Sequence, residues 1–177
     1  MLICLYKDPL LHVDIKFLTL DEFESRVEEP VILWDRHEQL QAVLDRTEGK
    51  FPYPDYQLME DRFWVWTHYV LGKIARGEYL EAFDSLSIFR MMIFGPLLHI
   101  KNGNLPKGVR KVESLLASDD LKGLESTIAA YNKQSLITAI EKSVNLYQKL
   151  RRELFKEDIM LRVDAEKEVL KYLEQMK

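Results

Sequence analysis

Apolar and polar residues alternate with a period of two close to the start of the chain. The stretch Leu10–Leu18 places its apolar side chains on one face and its polar ones on the other: Leu11, Val13, Ile15 and Phe17 against His12, Asp14 and Lys16. Such alternation is typical of a strand with one covered face. The apolar run Met1–Tyr6 precedes it, and Lys7-Asp8-Pro9 between them is typical of a turn. The two segments predict an antiparallel pair of strands.

Three more short elements are predicted before residue 50. Thr19 and Glu22 have the spacing of a capping box, which predicts a helix from there to about Arg26. The apolar segment Val31–Trp34 predicts a third strand, and His37–Arg46 predicts a second helix.

The loop Gly49–Asp55 contains one glycine and two prolines, which makes it the best candidate for a domain boundary. We therefore predict one domain at residues 1–50 and a second at residues 51–177. The second is predicted to contain six helices: Tyr56–Arg76, Glu78–Lys101, Gly108–Ala117, Asp119–Tyr131, Gln134–Phe155 and Val163–Met176. The predicted fold class is α+β and predominantly helical, with a small N-terminal β segment followed by a helical bundle.

The first two helices of the bundle are apolar around most of their circumference, as is typical of central, buried helices. Gly95-Pro96 lies inside the second of them. We expect a kink there, because proline lacks a backbone donor and clashes with the preceding turn.

Composition narrows the class of protein. Hydrophobic residues make up 47% and charged residues 31% of the 177 residues, as in a globular protein. No apolar run approaches the roughly 18 residues of a membrane helix and no secretion signal is visible, so we predict a cytoplasmic protein without membrane association. A single cysteine excludes an intrachain disulfide. The net charge of −4 argues against general nucleic-acid binding.

Asp14 is the residue that points to chemistry. Aspartate is depleted in strands, and this one leaves the face opposite to the apolar side chains. If that face is open to solvent, Asp14 is an exposed strand residue. If it lines a cleft, Asp14 is a metal ligand or a general base, because Mg²⁺ binds through one or two carboxylates together with substrate phosphates.

The segment Leu11–Phe17 resembles the strand that carries the third carboxylate in nucleotidyltransferases of the DNA polymerase beta superfamily, in the branch near the aminoglycoside and lincosamide enzymes. Glu29–Asp35 resembles the short strand that follows it in uncharacterised bacterial members. The stretch from Phe51 to Trp64 and the segment Gly72–Glu78 are similar to the family as well. The resemblance spans roughly residues 2–115.

This resemblance implies a nucleotide-binding sheet joined to a helical substrate domain. The implied reaction transfers a nucleoside monophosphate from a Mg²⁺-bound nucleoside triphosphate to the hydroxyl of a small-molecule acceptor. In the family, two aspartates after a Gly-Ser turn hold both metals, and the third aspartate, matched here by Asp14, helps to hold the metal that activates the hydroxyl. Glu60 or Asp61 would match the acceptor-side base, the alternative being that they are favourable carboxylates near a helix start.

The sequence departs from the family because no Gly-Ser turn with paired aspartates precedes Asp14. We therefore expect either a chain that begins late in a longer reading frame or a shortened relative, inactive or incomplete by itself. The alternative function is a non-catalytic helical binding or regulatory module that pairs with a partner protein. Open sheet edges tend to pair with another chain, so we also predict a homodimer.

Several other residues are candidates for nucleotide or substrate contacts. Trp64 and His68 follow Glu60 at four-residue steps on one helix face. Lys73 and Arg76 are placed to reach a triphosphate, or to stabilise the C-terminal end of their helix.

The remaining predictions concern isolated charges. Lys16 shares the polar face of Asp14 and is assigned to the nucleotide site. Arg90 lies inside an apolar helix, so it either pairs with Asp61 or Asp84 or binds a substrate anion. The histidines His12 and His99 are predicted to be structural. The basic pairs Arg110-Lys111 and Arg151-Arg152 are predicted to lie on solvated faces.

Overall fold

The computed structural model describes all 177 residues, Met1–Lys177. A two-stranded antiparallel sheet is followed by helices, which confirms the prediction of an α+β, predominantly helical fold. The chain divides into two compact units, Met1–Pro52 and Tyr53–Lys177. The division falls inside the loop Gly49–Asp55.

The first unit contains the sheet and two short helices. Its elements are β1 Leu2–Tyr6, β2 Leu11–Ile15, α1 Leu20–Glu24 and α2 Gln39–Arg46. The strands pair in one register, Leu2 with Ile15 and Tyr6 with Leu11, so that Cys4 faces Val13. Asp14 is paired with Ile3 and lies on the opposite face, as the alternation of the sequence predicts.

Local polar contacts fix the two helices of this unit. The predicted capping box at α1 is confirmed, since Thr19 Oγ1 accepts from the Glu22 amide at 3.2 Å and Glu22 accepts from the Thr19 amide at 2.8 Å. After α1, the Arg26 guanidinium donates to the carbonyl oxygen of Thr47 at 2.6 Å and forms a two-pronged ion pair with Glu29. Arg26 therefore holds the end of α2 beside the end of α1.

The third strand predicted at Val31–Trp34 is wrong. Those residues form neither strand nor helix, and Val31, Leu33 and Trp34 are exposed. An extended segment becomes a strand only when another strand satisfies its backbone groups, and the sheet contains β1 and β2 alone.

The second unit is entirely helical. Its elements are α3 Tyr56–Ala75, α4 Tyr79–Phe89, a π-helical segment Arg90–Phe94, α5 Gly95–Lys101, α6 Val112–Leu115, α7 Ser118–Glu125, α8 Lys133–Leu154 and α9 Val163–Met176. Helices α6 and α7 are shorter than the helices predicted at Gly108–Ala117 and Asp119–Tyr131. The ends of α3, α8 and α9 agree with the predicted ends to within one residue. The core of this unit packs α3, α4, α5 and α8 together around aromatic rings, and Phe63 stacks on Tyr147 with 3.7 Å between ring centroids.

A π-helical segment, Arg90–Phe94, immediately precedes Gly95-Pro96, where a kink is expected. In it the Gly95 amide donates to the carbonyl oxygen of Arg90, five residues back. Because Pro96 has no amide hydrogen and its ring needs space one turn earlier, a wider turn accommodates it without ending the helix. A side chain at Gly95 is excluded, since a Cβ there would lie 2.3 Å from the carbonyl oxygen of Gly108.

The continuous helical stretch Tyr79–Lys101 is long and apolar enough, by length and composition alone, to cross a membrane. Half of its most apolar 18-residue segment is buried inside the molecule. The core helix of a globular domain has the same length and apolar character.

Candidate functional site

Asp14 lies on β2 with its side chain about half exposed. Its Oδ1 is 2.9 Å from Nε2 of His12, the preceding residue on the same face. His12 thus has a partner, and the two form an imidazole–carboxylate pair at the surface of the hairpin. Lys16, which follows the end of β2, is exposed.

The donor set around Asp14 consists of this single carboxylate and one imidazole. The molecule contains no group of three or more His, Cys, Asp or Glu side chains placed to hold a metal ion. The two-metal arrangement that the resemblance implies needs three carboxylates around its ions. The residues of this chain do not make up such a site by themselves.

Glu60 is completely buried, in contrast to the accessible carboxylate that an acceptor-side base requires. Its two oxygens accept hydrogen bonds from four groups: Trp64 Nε1 at 3.2 Å, Tyr147 Oη at 2.7 Å, Arg151 Nη1 at 3.1 Å and the Arg162 amide at 2.9 Å. A buried carboxylate is stable only when its lone pairs are met by donors and a positive charge. Glu60 therefore joins α3 to α8 and to the segment before α9.

Arg151 extends this cluster toward α9, because its Nη1 also lies 2.9 Å from Glu166. Burial acts to lower the pKa of Arg151, but the hydrogen bond to Glu166 and the charge of Glu60 outweigh it and raise that pKa. Burial and the neighbouring Glu60 carboxylate strongly raise the pKa of Tyr147. The prediction that Arg151 lies on a solvated face is wrong, since its side chain is 13% exposed.

Asp61 turns away from that cluster and forms a surface ion pair. Its Oδ1 accepts from Arg162 Nε at 2.7 Å and from Gln57 Nε2 at 2.8 Å, and these two bonds lower the pKa of its carboxyl group. Both candidate bases of α3 are thus engaged in contacts that hold helices together.

Lys73 and Arg76 are neutralised by neighbouring carboxylates. Lys73 Nζ lies 2.8 Å from both Glu78 and Glu81, and Arg76 Nε lies 2.6 Å from Glu78. The hydrogen bond from Arg76 and then that from Lys73 lower the pKa of Glu78 to about 2. These contacts close the turn between α3 and α4, and they occupy the cations that were assigned to a triphosphate.

Arg90 pairs with neither Asp61 nor Asp84, so the first of the two alternatives predicted for it is wrong. Its guanidinium donates to the carbonyl oxygen of Thr127 at 3.0 Å and to Ser87 Oγ at 2.8 Å, which are both uncharged groups. Burial lowers the pKa of Arg90. Neutral acceptors suffice because the side chain is only half-buried and remains partly hydrated.

Trp64 and His68 both border a groove of about 500 Å³ between α3 and α9, but Trp64 is completely buried and only His68 of the two is exposed to it. The groove places side chains of α9 opposite these two: Glu168, Lys171, Tyr172 and Gln175. The His68 ring lies 5.5 Å from that of Tyr172, centroid to centroid. The volume is in the range of small-ligand sites, and the walls mix aromatic rings with polar groups.

The contribution of α8 and α9 to both the buried cluster and the groove was missed from the sequence. A signal for Arg151 exists, since Ile140, Val144 and Tyr147 precede it at helical spacing on the buried face of α8. An arginine that continues an apolar stripe needs a carboxylate partner. No comparable signal marks Tyr172.

No protein-family model matches this sequence. No curated protein is significantly similar to it. The resemblance to nucleotidyltransferases therefore stays a prediction.

Proposed function

We propose that this chain is a partner-dependent binding module, whose N-terminal hairpin adds to the β-sheet of another polypeptide. The observation that carries this proposal is that β1 and β2 form a two-stranded sheet with both outer edges unpaired. Edge strands with free backbone groups are templates for pairing with another chain.

Burial within the first unit supports the proposal. Val43 is its one buried residue. On the hairpin, Ile3 is 63% and Leu5 70% exposed, and Leu2, Tyr6 and Leu11 are all about half exposed. An isolated two-stranded hairpin is marginally stable at best, and three or more strands with an apolar face are needed for independent stability. Ile3 and Leu5 lie on the face of Asp14, and Leu2, Tyr6 and Leu11 lie on the other. Exposed apolar side chains on both faces are typical of a surface that another protein covers.

The module is proposed to be nucleotidyltransferase-like in ancestry and non-catalytic by itself. Asp14 would remain from the metal site, but this chain supplies neither the other carboxylates nor the phosphate-binding turn. Mg²⁺ and a nucleoside triphosphate are therefore not ligands of the proposed module.

The test of sheet addition is site-specific photocrosslinking in cells that express the full chain. Benzoylphenylalanine at Leu11, on β2, is expected to give a discrete product whose crosslinked segment is a strand, identified by mass spectrometry. The same probe at Lys142, exposed on α8, is the control and should give no such product. Equal crosslinking from both positions, or none from Leu11, would contradict the proposal.

Calorimetry tests the non-catalytic part. Titration of the purified chain with Mg²⁺-ATP should release no heat of binding, because a single carboxylate paired with His12 does not hold the metal and triphosphate. A binding isotherm that disappears in Asp14→Asn would instead support an autonomous nucleotide site.

A second candidate function, acceptor binding by the helical unit, is favoured by the groove between α3 and α9. His68, which was assigned to substrate from the sequence, lines this groove with Tyr172 and Glu168, whereas Trp64 lies behind it and is completely buried. A hydroxyl-bearing cationic molecule would find aromatic surface and a carboxylate there.

The probe for this candidate is an aminoglycoside, followed by the NMR signals of the His68 imidazole. We expect these signals to shift on titration, and the affinity to fall in Glu168→Gln but not in Glu157→Gln, an exposed carboxylate away from the groove. Unshifted His68 signals at millimolar aminoglycoside would exclude this class of acceptor.

A further inference from the structure

We infer that the polypeptide which pairs with the free edge of β2 is a second copy of this chain, related by a two-fold axis at Val13. The product is a four-stranded sheet in the order β1-β2-β2-β1, with the two copies of β2 antiparallel at its centre. This inference rests on the proposed sheet addition and names its partner.

The sequence of β2, Leu-His-Val-Asp-Ile, is complementary to itself in this register. With Val13 opposite the partner's Val13, His12 lies opposite the partner's Asp14, and the two-fold axis repeats that pair on the other side. Residues directly opposite in an antiparallel pair have their Cβ atoms about 5 Å apart, and opposite charges there are favourable. Within one chain His12 and Asp14 already lie 2.9 Å apart, so the dimer joins two imidazoles and two carboxylates in alternation.

The registers centred on the two neighbours of Val13, and the parallel pair, bring like groups together. A shift that centres the axis on His12 puts it opposite the partner's His12. A shift that centres the axis on Asp14 puts two carboxylates opposite each other and His12 opposite the partner's Lys16. A parallel pair in register sets each residue beside its own kind. Like charges directly opposite are destabilising. An axis on Ile15 sets Asp14 opposite the partner's Lys16, but it pairs β2 with residues 16–19, beyond the end of the strand. The register centred on Val13 is the one that pairs the whole of β2 with itself and sets complementary groups opposite each other.

The outer edge of β1 lacks this selectivity. Its sequence, Leu2–Tyr6, contains no charged residue. Pairing two copies of β1 about an axis at Cys4 would therefore be no more favourable than pairing them in a register shifted by two residues. Strands without such markers have weakly specified registers. The His12 and Asp14 pair on β2 is therefore the feature that favours a defined dimer through that strand.

The same register extends the apolar face. A two-fold axis perpendicular to the sheet keeps each face on its own side, so Leu11, Val13 and Ile15 continue into the equivalent side chains of the second copy. Val13 and Ile15 are already partly covered within one chain. Four strands with one continuous apolar face meet the condition for a stable sheet that two strands do not.

The experiment is analytical ultracentrifugation of the full chain and of two charge variants. Wild type is expected to be a dimer that dissociates on dilution. His12→Asp places two carboxylates opposite each other, and Asp14→Lys places an ammonium group opposite an imidazole, in each case at both symmetry-related contacts. Each variant should weaken the dimer by about tenfold or more. Glu157→Lys, a change of charge at an exposed site in the helical unit, is the control and should leave the dissociation constant unchanged.

Mixing the two variants provides the decisive measurement. In the mixed pair, the carboxylate introduced by His12→Asp in one chain would face the ammonium group introduced by Asp14→Lys in the other. The native Asp14 of the first chain would face the native His12 of the second. A 1:1 mixture is therefore expected to form a heterodimer under conditions in which neither variant self-associates. Recovery in the mixture also shows that both variants are folded.

Two results would overturn the inference: a wild-type chain that stays monomeric at millimolar concentration, or a mixture that fails to associate. Neither result affects sheet addition itself, which fails only if photocrosslinking from Leu11 finds no strand of any protein.

Discussion

Glu60 Oε1 lies 3.1 Å from Arg151 Nη1, in an ion pair that joins a completely buried carboxylate to a residue 91 positions away in the chain. The same carboxylate accepts from Tyr147, Trp64 and the Arg162 amide. Because a buried charge that loses its partners is costly, the cluster holds α3, α8 and the start of α9 in one arrangement. A residue predicted from the sequence as a catalytic base is thus a structural centre of the helical unit.

Replacing Glu60 by glutamine removes the charge and leaves a similar shape. Arg151 then has Glu166 as its one remaining carboxylate partner. One of the two side-chain oxygens becomes an NH₂ group, which cannot accept the hydrogen bond that the oxygen accepted. We expect the free energy of unfolding to fall by about 2–4 kcal/mol, measured by urea denaturation. Glu157→Gln, on the surface, is the control. A loss below about 0.5 kcal/mol would place Glu60 outside the stabilising contacts of the core.

Tyr147→Phe isolates one bond of the same cluster. The ring stays stacked on Phe63, while the hydroxyl that donates to Glu60 at 2.7 Å is lost. The expected destabilisation is about 1–3 kcal/mol, since a buried carboxylate oxygen loses a donor. Tyr53→Phe removes the hydroxyl of an exposed residue and should change the stability little. Equal effects of the two substitutions would contradict this account.

The turn between α3 and α4 predicts a pH dependence. The carboxyl pKa of Glu78 is lowered from 4.5 to about 2 by Arg76 and Lys73. A carboxyl group with a lowered pKa in the folded state stabilises the fold above its unfolded pKa, and this contribution is lost as the pH falls through the folded value. The stabilisation from Glu78 should therefore be complete above about pH 5 and vanish between pH 4.5 and about 2.

The measurement compares wild type with Glu78→Gln by chemical denaturation from pH 7 to pH 2. The difference in stability should shrink as the pH falls, and it should also shrink in high salt, because these groups are exposed and screened. A difference that does not vary with pH would show that Glu78 acts through packing and not through its charge.

Two glycine substitutions form a matched pair. Gly95→Ala would bring a Cβ to 2.3 Å from the carbonyl oxygen of Gly108, so backbone must move, and a loss of about 1–3 kcal/mol or more is expected. At Gly72, inside α3, the nearest atom would be Arg76 Nη1 at 3.5 Å, an ordinary contact. Gly72→Ala should stabilise the protein by about 0.5–1 kcal/mol through better helix propensity. Thermal unfolding of both variants checks the opposite signs.

The elements that the sequence predicts well are those whose signals are local. The alternation of Leu11 to Ile15 predicts β2, and the spacing of Thr19 and Glu22 predicts the cap of α1, because these features depend on residues within one turn or two strand positions. The buried character of α3 likewise follows from the distribution of apolar residues around one helix. The segment Val31–Trp34 has the local composition of a strand, but a strand also needs a neighbour, and none is present.

Only the tertiary structure decides what the charged residues do. Glu60 and Asp61 are adjacent in sequence, yet one is buried under α8 and the other pairs with Arg162 at the surface. Their partners lie about ninety to a hundred residues away, and no pattern within a helix encodes that distance. By itself the sequence determined the hairpin, the long helices and the self-complementary order of His12 and Asp14. Packing decided which carboxylates are structural, because burial depends on what each helix face meets.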